Sequence, residues 1–562
     1  MQDDQTLDSE SEATPLAGSS ALRPQSTTRW PEVPDHAALI DRRVRSAALP
    51  ELARDHAIRE VHQLRELPYA SPNAARIASY LDWMLGLPWP ERIADGAVGD
   101  LEQIARALDT AHAGLSEVKQ RVLESVAATK LAGRAPGEVL LFHGPPGTGK
   151  SSLARALARA LDRPFVPLSV GAMTDESQLV GINHRQEGAF PGAIVDGLRR
   201  AGRRDAVVLL DELDKLQLGG GGDAGGPLLE LLDSDRRAEF FDHYLGLPFD
   251  LSRCMLIATA NDIEDMPEPL LDRLEVVEFW GYTEGAKVQI AMDHLIPRAR
   301  ARAGVGPREL ELTPAAVRRV VRSHTEEAGV RQLGRHLDTL ARKAATRVVR
   351  GEGGLRVRDR DVRKLLGPRV VEGEVRARRP RIGVATGLAY TSSGGALLPI
   401  EALAMPGSGR TTLTGQIGEV MRESFQTALT WVRGRLRGLD LPADHLDQLD
   451  LHLHFPASAV PKEGPSAGIS IAVALYSLLA REPMRHDVGL TGELSLHGAV
   501  LPIGGLREKL LAAARSGLKL VVVPAGNAEE LEELPEDVLA PLEIRAASRI
   551  EEVLEWAAVV RD

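Results

Sequence analysis

The sequence predicts a multidomain α/β protein, and three observations lead to that prediction. The chain has 562 residues, more than one domain usually holds. Between about residue 100 and residue 280, helical stretches alternate with short runs of Val, Leu and Ile, which is typical of a parallel sheet covered by helices. A second mixed α/β region runs from 383 to the end, and a stretch typical of helices only lies between the two.

The periodicity and composition divide the chain into six segments. The first is rich in Ser, Thr, Asp, Glu and Pro and is predicted to be disordered. The second is a short helical segment, because Ile77, Tyr80, Leu81 and Met84 recur at three- and four-residue spacing. The fifth is a charged run, for which a solvated linker is the preferred interpretation and a nucleic-acid contact the alternative. The predicted segments are 1–34, 35–108, 109–281, 282–368, 369–382 and 383–562.

The composition restricts the class of protein. A net charge of -11 argues against a general nucleic-acid coat, although a local basic patch stays possible. The single cysteine, Cys254, excludes an intramolecular disulfide and fits a cytoplasmic location and a buried, inert thiol. No signal peptide is predicted at the N-terminus. The longest nearly apolar run, residues 469–480, is too short to cross a bilayer, so no membrane span is expected.

A glycine-rich motif follows the apolar run Val139 to Phe142 and opens a helix-like stretch from Leu153 to Leu161. This strand–loop–helix context is typical of a P-loop, in which backbone amides and a helix N-terminus bind phosphates. Lys150 is then placed to reach the β/γ-phosphates of ATP, and Ser151 to bind Mg²⁺. The motif comprises Gly144, Pro145, Pro146, Gly147, Thr148, Gly149, Lys150 and Ser151.

A second apolar run, Val207 to Leu210, ends in two carboxylates about sixty residues further on. Such a pair is the expected second half of an ATPase site. Asp211 is predicted to hold the Mg²⁺ shell, and Glu212 to orient or deprotonate the attacking water.

The segment Pro461 to Gly468 places Ser466 among small residues at the start of an apolar helix. Small neighbours leave room for a substrate backbone, and amides at a helix start can face a developing oxyanion. The alternative is that Ser466 only caps that helix.

These features together resemble the Lon proteases, over roughly residues 60 to 555. The motifs that carry the resemblance are Tyr80-Leu81-Asp82-Trp83, Leu87-Pro88-Trp89, the P-loop, Asp242-His243-Tyr244-Leu245, Leu271-Asp272-Arg273, the Ser466 segment and Gly498 to Lys509. The resemblance implies an AAA+ α/β ATPase domain (109–281), its helical lid (282–368) and a mixed α/β protease domain (383–562).

The resemblance also implies roles for several residues. In the nucleotide site, Asn261 is implied to sense the γ-phosphate, Arg331 to be the lid sensor, and Arg273 to be an arginine finger for a neighbouring subunit. A finger acting in trans requires an oligomer, and the family implies a homohexameric ring. In the protease domain, Ser466 and Lys509 are implied to form a Ser-Lys dyad, supported by Thr491.

Two features of the residues bear on the choice of base. The first basic position of the downstream segment is Arg507, which cannot accept a proton, so Lys509 is its candidate base. A lysine acts as a base only if burial or nearby cations lower its pKa, and the apolar neighbours of Lys509 favour burial. His452 and His454 share one face of a predicted strand, Leu451 to Phe455. Two hydrogen-bonded strand histidines are the preferred interpretation, with a Ser-His arrangement or a metal site as alternatives.

Three features depart from the family's pattern. The family carries a large globular domain ahead of the motor, and only about sixty helical residues precede the motor here. The pore loop normally presents an aromatic–aliphatic pair, which is replaced by Gln186-Glu187 before Gly188-Ala189-Phe190-Pro191-Gly192, leaving Phe190 as an alternative contact. The adenine-side motif reads His112-Ala113-Gly114-Leu115, without the usual tyrosine, which predicts weaker nucleotide binding.

The leading hypothesis is an ATP-dependent serine endopeptidase that degrades unfolded, damaged or regulatory proteins. The pore-loop substitution motivates a second hypothesis, an ATP-gated peptidase with little unfolding power. A third is a ring chaperone or nucleic-acid-bound remodeller with a silent protease half.

Overall fold

The structure is a computed structural model, and it describes most of the chain from residue 36 to residue 559. The described ranges are 36–68, 71–89, 100–132, 137–216, 225–263, 266–368, 379–391, 394–435, 438, 441–442, 444–456, 462–532, 534 and 536–559. The predicted disorder of residues 1–34 lies outside these ranges, and so does most of the predicted linker 369–382.

The chain divides into two units, and the first extends to Leu85. It contains three helices that pack on one another, α1 (His36–Ser46), α2 (Glu51–Glu66) and α3 (Pro72–Leu85). Tyr80 and Leu81 are fully buried, and the Tyr80 hydroxyl lies 3.1 Å from His56 Nδ1. The helical periodicity predicted from the sequence is present in this unit.

The second unit begins with an α/β domain whose five strands are all parallel, in the order β2-β3-β6-β1-β7. The predicted apolar runs Val139 to Phe142 and Val207 to Leu210 form two of its three central strands, and Met255–Ala260 forms the third; each is buried along its apolar run. The strands are β1 (Val139–His143), β2 (Phe165–Ser169), β3 (Val207–Asp211), β6 (Met255–Ala260) and β7 (Leu274–Glu278), with a hairpin of β4 (Phe240–Asp242) and β5 (Leu247–Phe249). The helices are α4 (Leu101–Ala111), α5 (Ser116–Ala132), α6 (Lys150–Ala160), α7 (Ser177–Val180), α8 (Ala193–Ala201), α9 (Gly225–Leu232) and α10 (Glu268–Leu271).

Helix α4 belongs to the core of this α/β domain. Ile104 and Leu108 are buried in one cluster with Phe142 of β1 and Leu153 of α6. The boundary predicted at residue 108 falls inside α4 and therefore cuts through an element of this core. The sequence pattern of α4 is plainly helical, and a helical pattern alone does not tell which core its apolar face joins.

The region 282–368 forms a separate helical domain, but the prediction of helices only is wrong. A two-stranded parallel ladder joins β8 (Leu310–Leu312) to β9 (Leu355–Val357). Each strand has three residues, which is too short to show a period-two pattern in the sequence. The helices are α11 (Glu284–Ile290), α12 (Ile296–Ala303), α13 (Pro314–His324), α14 (Arg331–Val349) and α15 (Val362–Leu366), and they share one apolar cluster.

The C-terminal domain is built on a seven-stranded mixed sheet in the order β12-β13-β11-β10-β14-β17-β18, with a separate β15–β16 pair. The strands are β10 (Val384–Thr391), β11 (Gly394–Pro406), β12 (Thr411–Thr414), β13 (Leu449–His454), β14 (Val488–Leu490), β15 (Glu493–Leu494), β16 (Val500–Leu501), β17 (Leu520–Pro524) and β18 (Glu543–Ala547). The helices are α16 (Glu419–Arg433), α17 (Gly468–Ala480), α18 (Leu506–Arg515), α19 (Ala528–Glu532), α20 (Glu536–Leu539) and α21 (Ile550–Ala557).

Two apolar clusters cover this sheet. The larger contains α16, α17 and α21, and the smaller contains α18 and the neighbouring parts of β10 and β17. Helix α17 is hydrophobic around its circumference, and ten of its 13 residues are buried, so it forms the centre of the domain. Within the described ranges, no helix is long and apolar enough to cross a membrane. Cys254 is buried, as expected, and burial raises the pKa of its thiol to about 12.

Candidate active sites

The glycine-rich motif forms a loop between β1 and α6, and α6 begins at Lys150, three residues earlier than predicted. Gly144, Gly147 and Gly149 all have positive φ, and Gly149 is the N-cap of α6. A side chain at Gly144 would place its Cβ 1.9 Å from the Phe279 carbonyl oxygen. The loop therefore needs glycine for both its conformation and its close approach to the neighbouring chain.

Lys150 is buried at the start of α6 and points back across the loop. Its Nζ donates to the carbonyls of Gly144 and Pro145 and, at 2.9 Å, to Asn261 Oδ1. Burial lowers the pKa of Lys150 to about 8, and the carboxylates of Asp214, Asp211 and Glu212 act in the opposite direction. A buried ammonium among carbonyl oxygens is suited to exchange those contacts for phosphate oxygens.

The two carboxylates meet this loop at the carboxyl end of β3. Ser151 Oγ donates to Asp211 Oδ1 at 2.9 Å, and Thr259 Oγ1 donates to the same oxygen at 2.6 Å. The backbone N–H of Glu212 donates to Thr259 Oγ1 at 3.0 Å, and Glu212 itself has a φ of 59°. A left-handed conformation is unusual for glutamate, and its presence next to the phosphate loop fits a functional position.

The three residues implied by resemblance lie in different places. Asn261 touches Lys150, and Arg331 begins α14 beside the loop, since a Cβ on Gly147 would lie 3.0 Å from Arg331 Cβ. Arg273 is at the opposite end of the sheet, because Leu274 pairs with Val139 at the start of β1. Five strand residues, about 17 Å, separate that end from the phosphate loop. Arg273 therefore does not reach the nucleotide site of its own chain.

The residues present fit Mg²⁺-ATP. The positive-φ glycines form a concave loop, Lys150 supplies a buried cation, and a hydroxyl and a carboxylate stand side by side at Ser151 and Asp211. Hard oxygen ligands of this kind are those that Mg²⁺ prefers. Elsewhere in the described part of the chain, no group of three or more His, Cys, Asp or Glu side chains is arranged to hold a metal ion.

Ser466 lies in a short 3₁₀ turn, Pro465–Ala467, that leads into α17. The N-cap residue of α17 is Ala467, and no side chain caps that helix, so the capping alternative for Ser466 is wrong. The Ser466 carbonyl accepts the Gly492 N–H at 2.9 Å, and the Gly492 carbonyl accepts the Ile469 N–H at 3.2 Å. These two bonds place the Ser466 turn directly against the Thr491-Gly492 segment that follows β14.

Lys509 lies in the first turn of α18 and is 3% exposed. Burial lowers its pKa to about 8, while Glu530 and Glu508 act in the opposite direction. Thr491 is fully buried, and its Oγ1 has no hydrogen-bond partner within the described ranges. A buried hydroxyl without a partner is costly, which favours a partner that arrives when the site is engaged.

The structure thus joins Ser466 to the Thr491 segment but does not close the predicted dyad. Lys509 Nζ donates to the Gly504 carbonyl at 2.8 Å, and no hydrogen bond between Lys509 and Ser466 is present among the described residues. Catalytic hydrogen bonds are often long or misaligned without substrate and tighten in the complex. The dyad stays a prediction that this arrangement permits.

The histidine pair lies in β13, and both imidazoles contact the same hydroxyl. Thr414 Oγ1 is 2.9 Å from His452 Nε2 and 2.7 Å from His454 Nδ1. This agrees with the preferred interpretation of two hydrogen-bonded strand histidines.

Several site residues escaped the sequence analysis. The Glu463 carboxylate accepts hydrogen bonds from the N–H groups of Val420 and Met421, at 2.8 and 3.3 Å. These bonds join the loop before Ser466 to the start of α16. Tyr282 donates to the Thr148 carbonyl at 2.5 Å beside the phosphate loop. Both contacts join residues far apart in sequence, and no local pattern predicts them.

The structure describes the residues at two of the departures from the family's pattern. The segment predicted to be a pore loop is closed by a hydrogen bond from the Ile182 N–H to the Phe190 carbonyl at 2.8 Å, and the Phe190 side chain is 38% exposed. Gln186 and Glu187 are exposed in the same loop. His112 Nε2 lies 2.5 Å from Ser152 Oγ, and burial lowers the pKa of His112 to about 4.

Comparison with known families agrees with this architecture. Residues 140–282 match the ATPase family associated with various cellular activities (AAA), and residues 301–357 match the Lon protease AAA+ ATPase lid domain. Residues 356–560 match the Lon protease (S16) C-terminal proteolytic domain. The chain belongs to the Lon protease family.

Curated relatives carry the same family name. The chain is 43% identical over 517 residues to the Lon protease of Heliobacterium modesticaldum, and this match covers 92% of this chain and 63% of that protein. The Lon protease of Geobacter metallireducens is 42% identical, and the match covers 91% of this chain and 62% of that protein. The Lon protease of Roseiflexus castenholzii is 44% identical, and the match covers 93% of this chain and 66% of that protein. The chain therefore spans less than two thirds of the length of these Lon relatives.

Proposed function

We propose that this chain is an ATP-dependent serine endopeptidase that degrades unfolded, damaged or regulatory proteins. The observation that carries the proposal is Lys509, a buried lysine of lowered pKa within a matched Lon proteolytic domain, in a chain that also contains a matched AAA ATPase domain. The relatives named Lon protease support the same activity. They favour neither the weakly unfolding peptidase nor the ring chaperone with a silent protease half.

Peptide cleavage is assigned to Ser466 and Lys509. Neutral Lys509 removes the hydroxyl proton of Ser466 as Oγ attacks the substrate carbonyl carbon, and the C–N bond breaks as the amine leaves with that proton. Water then hydrolyses the acyl ester on Ser466. Thr491 Oγ1 accepts a hydrogen bond from Lys509 and holds it toward Ser466. Because this oxygen is buried and without a partner, it is suited to that contact.

The ATPase half is assigned to the loop around Lys150. Ser151 and Asp211 would hold Mg²⁺, and Asn261 and Arg331 would contact the phosphates from β6 and from α14. When bound, Mg²⁺-ATP supplies the phosphoanhydride whose hydrolysis drives substrate entry. Glu212 orients the attacking water from the end of β3.

Arg273 motivates the proposed assembly. Because this residue lies at the far end of the sheet from its own phosphate loop, its role as an arginine finger needs a neighbouring subunit. We propose a homohexameric ring in the cytoplasm, with unfolded or loosely folded proteins as substrates.

Degradation of casein, an unfolded protein, tests the proposal. Fragments should appear with ATP, should be absent in Ser466→Ala and Lys509→Gln, and should nearly vanish in Glu212→Gln, which binds but does not hydrolyse ATP. A matched control is Ser470→Ala, which removes a buried serine in the first turn of α17 whose Oγ donates to the Leu490 carbonyl. Casein degradation that proceeds equally fast without ATP would show the proposal to be wrong.

A further inference from the structure

Helix α18, which carries Lys509, packs against a four-residue connector of the ATPase domain. This connector, Phe279–Tyr282, follows β7 directly and leads through Thr283, the N-cap residue, into α11. The Arg507 guanidinium carbon lies 5.1 Å from the centre of the Trp280 ring. Glu508 is 2% exposed, and burial raises the pKa of its carboxyl to about 7, while the backbone of Gly281 acts in the opposite direction. Two consecutive residues just before Lys509 therefore face the connector.

The other side of the connector forms a wall of the phosphate loop. The Phe279 N–H donates to the His143 carbonyl at 2.6 Å, immediately before the loop. The Tyr282 hydroxyl donates to the Thr148 carbonyl at 2.5 Å, inside the loop. Because Gly144 leaves no room for a side chain against the Phe279 carbonyl, a shift of the loop toward Phe279 must displace the connector.

Lys509 itself has two alternative partners. In this structure Nζ donates to the Gly504 carbonyl, while the Oγ1 of Thr491 stays without a partner and Ser466 has no hydrogen bond to Lys509 among the described residues. The peptidase needs Lys509 at Ser466. A displacement of α18 would exchange one arrangement for the other, since packed elements switch between discrete positions.

We propose that Trp280 and Arg507 form the contact through which the nucleotide bound at the phosphate loop sets the position of Lys509. The inference rests on the proposed function and deepens it. Phosphates on the loop displace the connector, and α18 follows because the Arg507 guanidinium lies over the Trp280 indole. Trp280 and Arg507 are positioning residues, and neither touches substrate or nucleotide.

A short fluorogenic peptide, which is cleaved without translocation, gives the test. The quantity measured is the ratio of kcat/KM with saturating ATP to kcat/KM without nucleotide. We expect Trp280→Leu and Arg507→Gln each to bring this ratio at least fivefold closer to one, with ATP hydrolysis within twofold of wild type. Trp280→Phe retains an aromatic ring and should retain the ratio. The double variant should lose no more than either single variant.

A cation–π pair with both residues in the protease domain supplies the matched control. The Arg545 guanidinium carbon lies 5.4 Å from the Trp556 ring, away from the connector. Arg545→Gln removes a comparable contact and should leave the ATP ratio unchanged. Equal losses in Arg545→Gln and Arg507→Gln would overturn the inference, because the effect would then be one of general stability.

A readout that does not depend on peptide cleavage separates this inference from the proposed function. The emission of Trp280, taken as wild type minus Trp280→Phe, should change when ADP is added, and the change should disappear in Arg507→Gln. An unchanged ATP ratio in Trp280→Leu, or a wild-type ratio of one, overturns the coupling. Cleavage that persists in Ser466→Ala overturns the proposed function and leaves the fluorescence result to decide on the contact.

Discussion

The pH dependence of peptide cleavage should follow the protonation of Lys509. Burial lowers the pKa of this lysine from 10.5 to about 8. At pH 7 a lysine with a pKa of 8 is neutral in about one molecule in ten, and one with a pKa of 10.5 in about one in three thousand. Burial therefore raises the amount of usable base about 300-fold, equivalent to about 3 kcal/mol.

The assay is kcat/KM for a short peptide between pH 6 and pH 9.5. Because Lys509 acts when neutral, the rate should rise about tenfold per pH unit up to pH ~8 and then level off. ATP hydrolysis is recorded in parallel, since burial also lowers the pKa of Lys150 to about 8. A rate that is flat from pH 6 to pH 9, or that still rises tenfold per pH unit between pH 8.5 and pH 9.5, would refute the assignment of Lys509 as a buried base.

A single substitution should move this profile in a known direction. The Glu530 carboxylate raises the pKa of Lys509, so Glu530→Gln should lower that pKa and shift the acid limb to lower pH. A partly exposed pair contributes about 0.2–1 kcal/mol, so kcat/KM at pH 7 should rise roughly 1.4- to 5-fold. Glu529→Gln, an exposed neighbour in the same helix, is the control and should leave the profile unchanged.

Three further predictions concern the ATPase half. Arg273→Ala and Glu212→Gln proteins should each be inactive alone and should regain ATP hydrolysis when mixed. In a mixed ring, Arg273 of a Glu212→Gln subunit would reach the nucleotide site of an Arg273→Ala subunit, which retains Glu212. No recovery on mixing would contradict action in trans. Gly144→Ala should weaken ATP binding at least about tenfold, since its Cβ would lie 1.9 Å from a carbonyl oxygen, whereas Gly334→Ala, with open space around it, should not. Phe190→Ala should slow ATP-driven casein degradation severalfold but leave cleavage of a short peptide unchanged, and equal effects on both would show that this ring does not contact the incoming chain.

The sequence was most informative where a motif and its flanking elements lie close together. The phosphate loop, the strand ending in Asp211 and the helix after Ser466 each depend on a few consecutive residues, and all three are present. A buried strand of Val and Leu is specified by burial on both faces, so its position can be predicted without any knowledge of its neighbours.

The remaining features depend on packing between distant segments. The β8–β9 ladder pairs residues more than forty positions apart, and α4 joins the ATPase core through apolar contacts that any amphipathic helix can make. Within the sites, Glu463 accepts a hydrogen bond from the start of α16, and Arg507 lies over the Trp280 ring. Both contacts join separate elements. The partner of Lys509 is local, since Gly504 lies five residues earlier, but the side-chain conformation that brings Nζ to the Gly504 carbonyl leaves no pattern in the sequence.

One reaction tests the central claim most directly. Phosphate release and casein fragments are followed together, with a limiting amount of ATP and Ser466→Ala as the parallel sample. The account predicts that fragments form only while phosphate is being released, stop when ATP is exhausted, and never form in Ser466→Ala although phosphate release continues. Fragments that accumulate at the same rate after ATP is exhausted, or that form in Ser466→Ala, would contradict it.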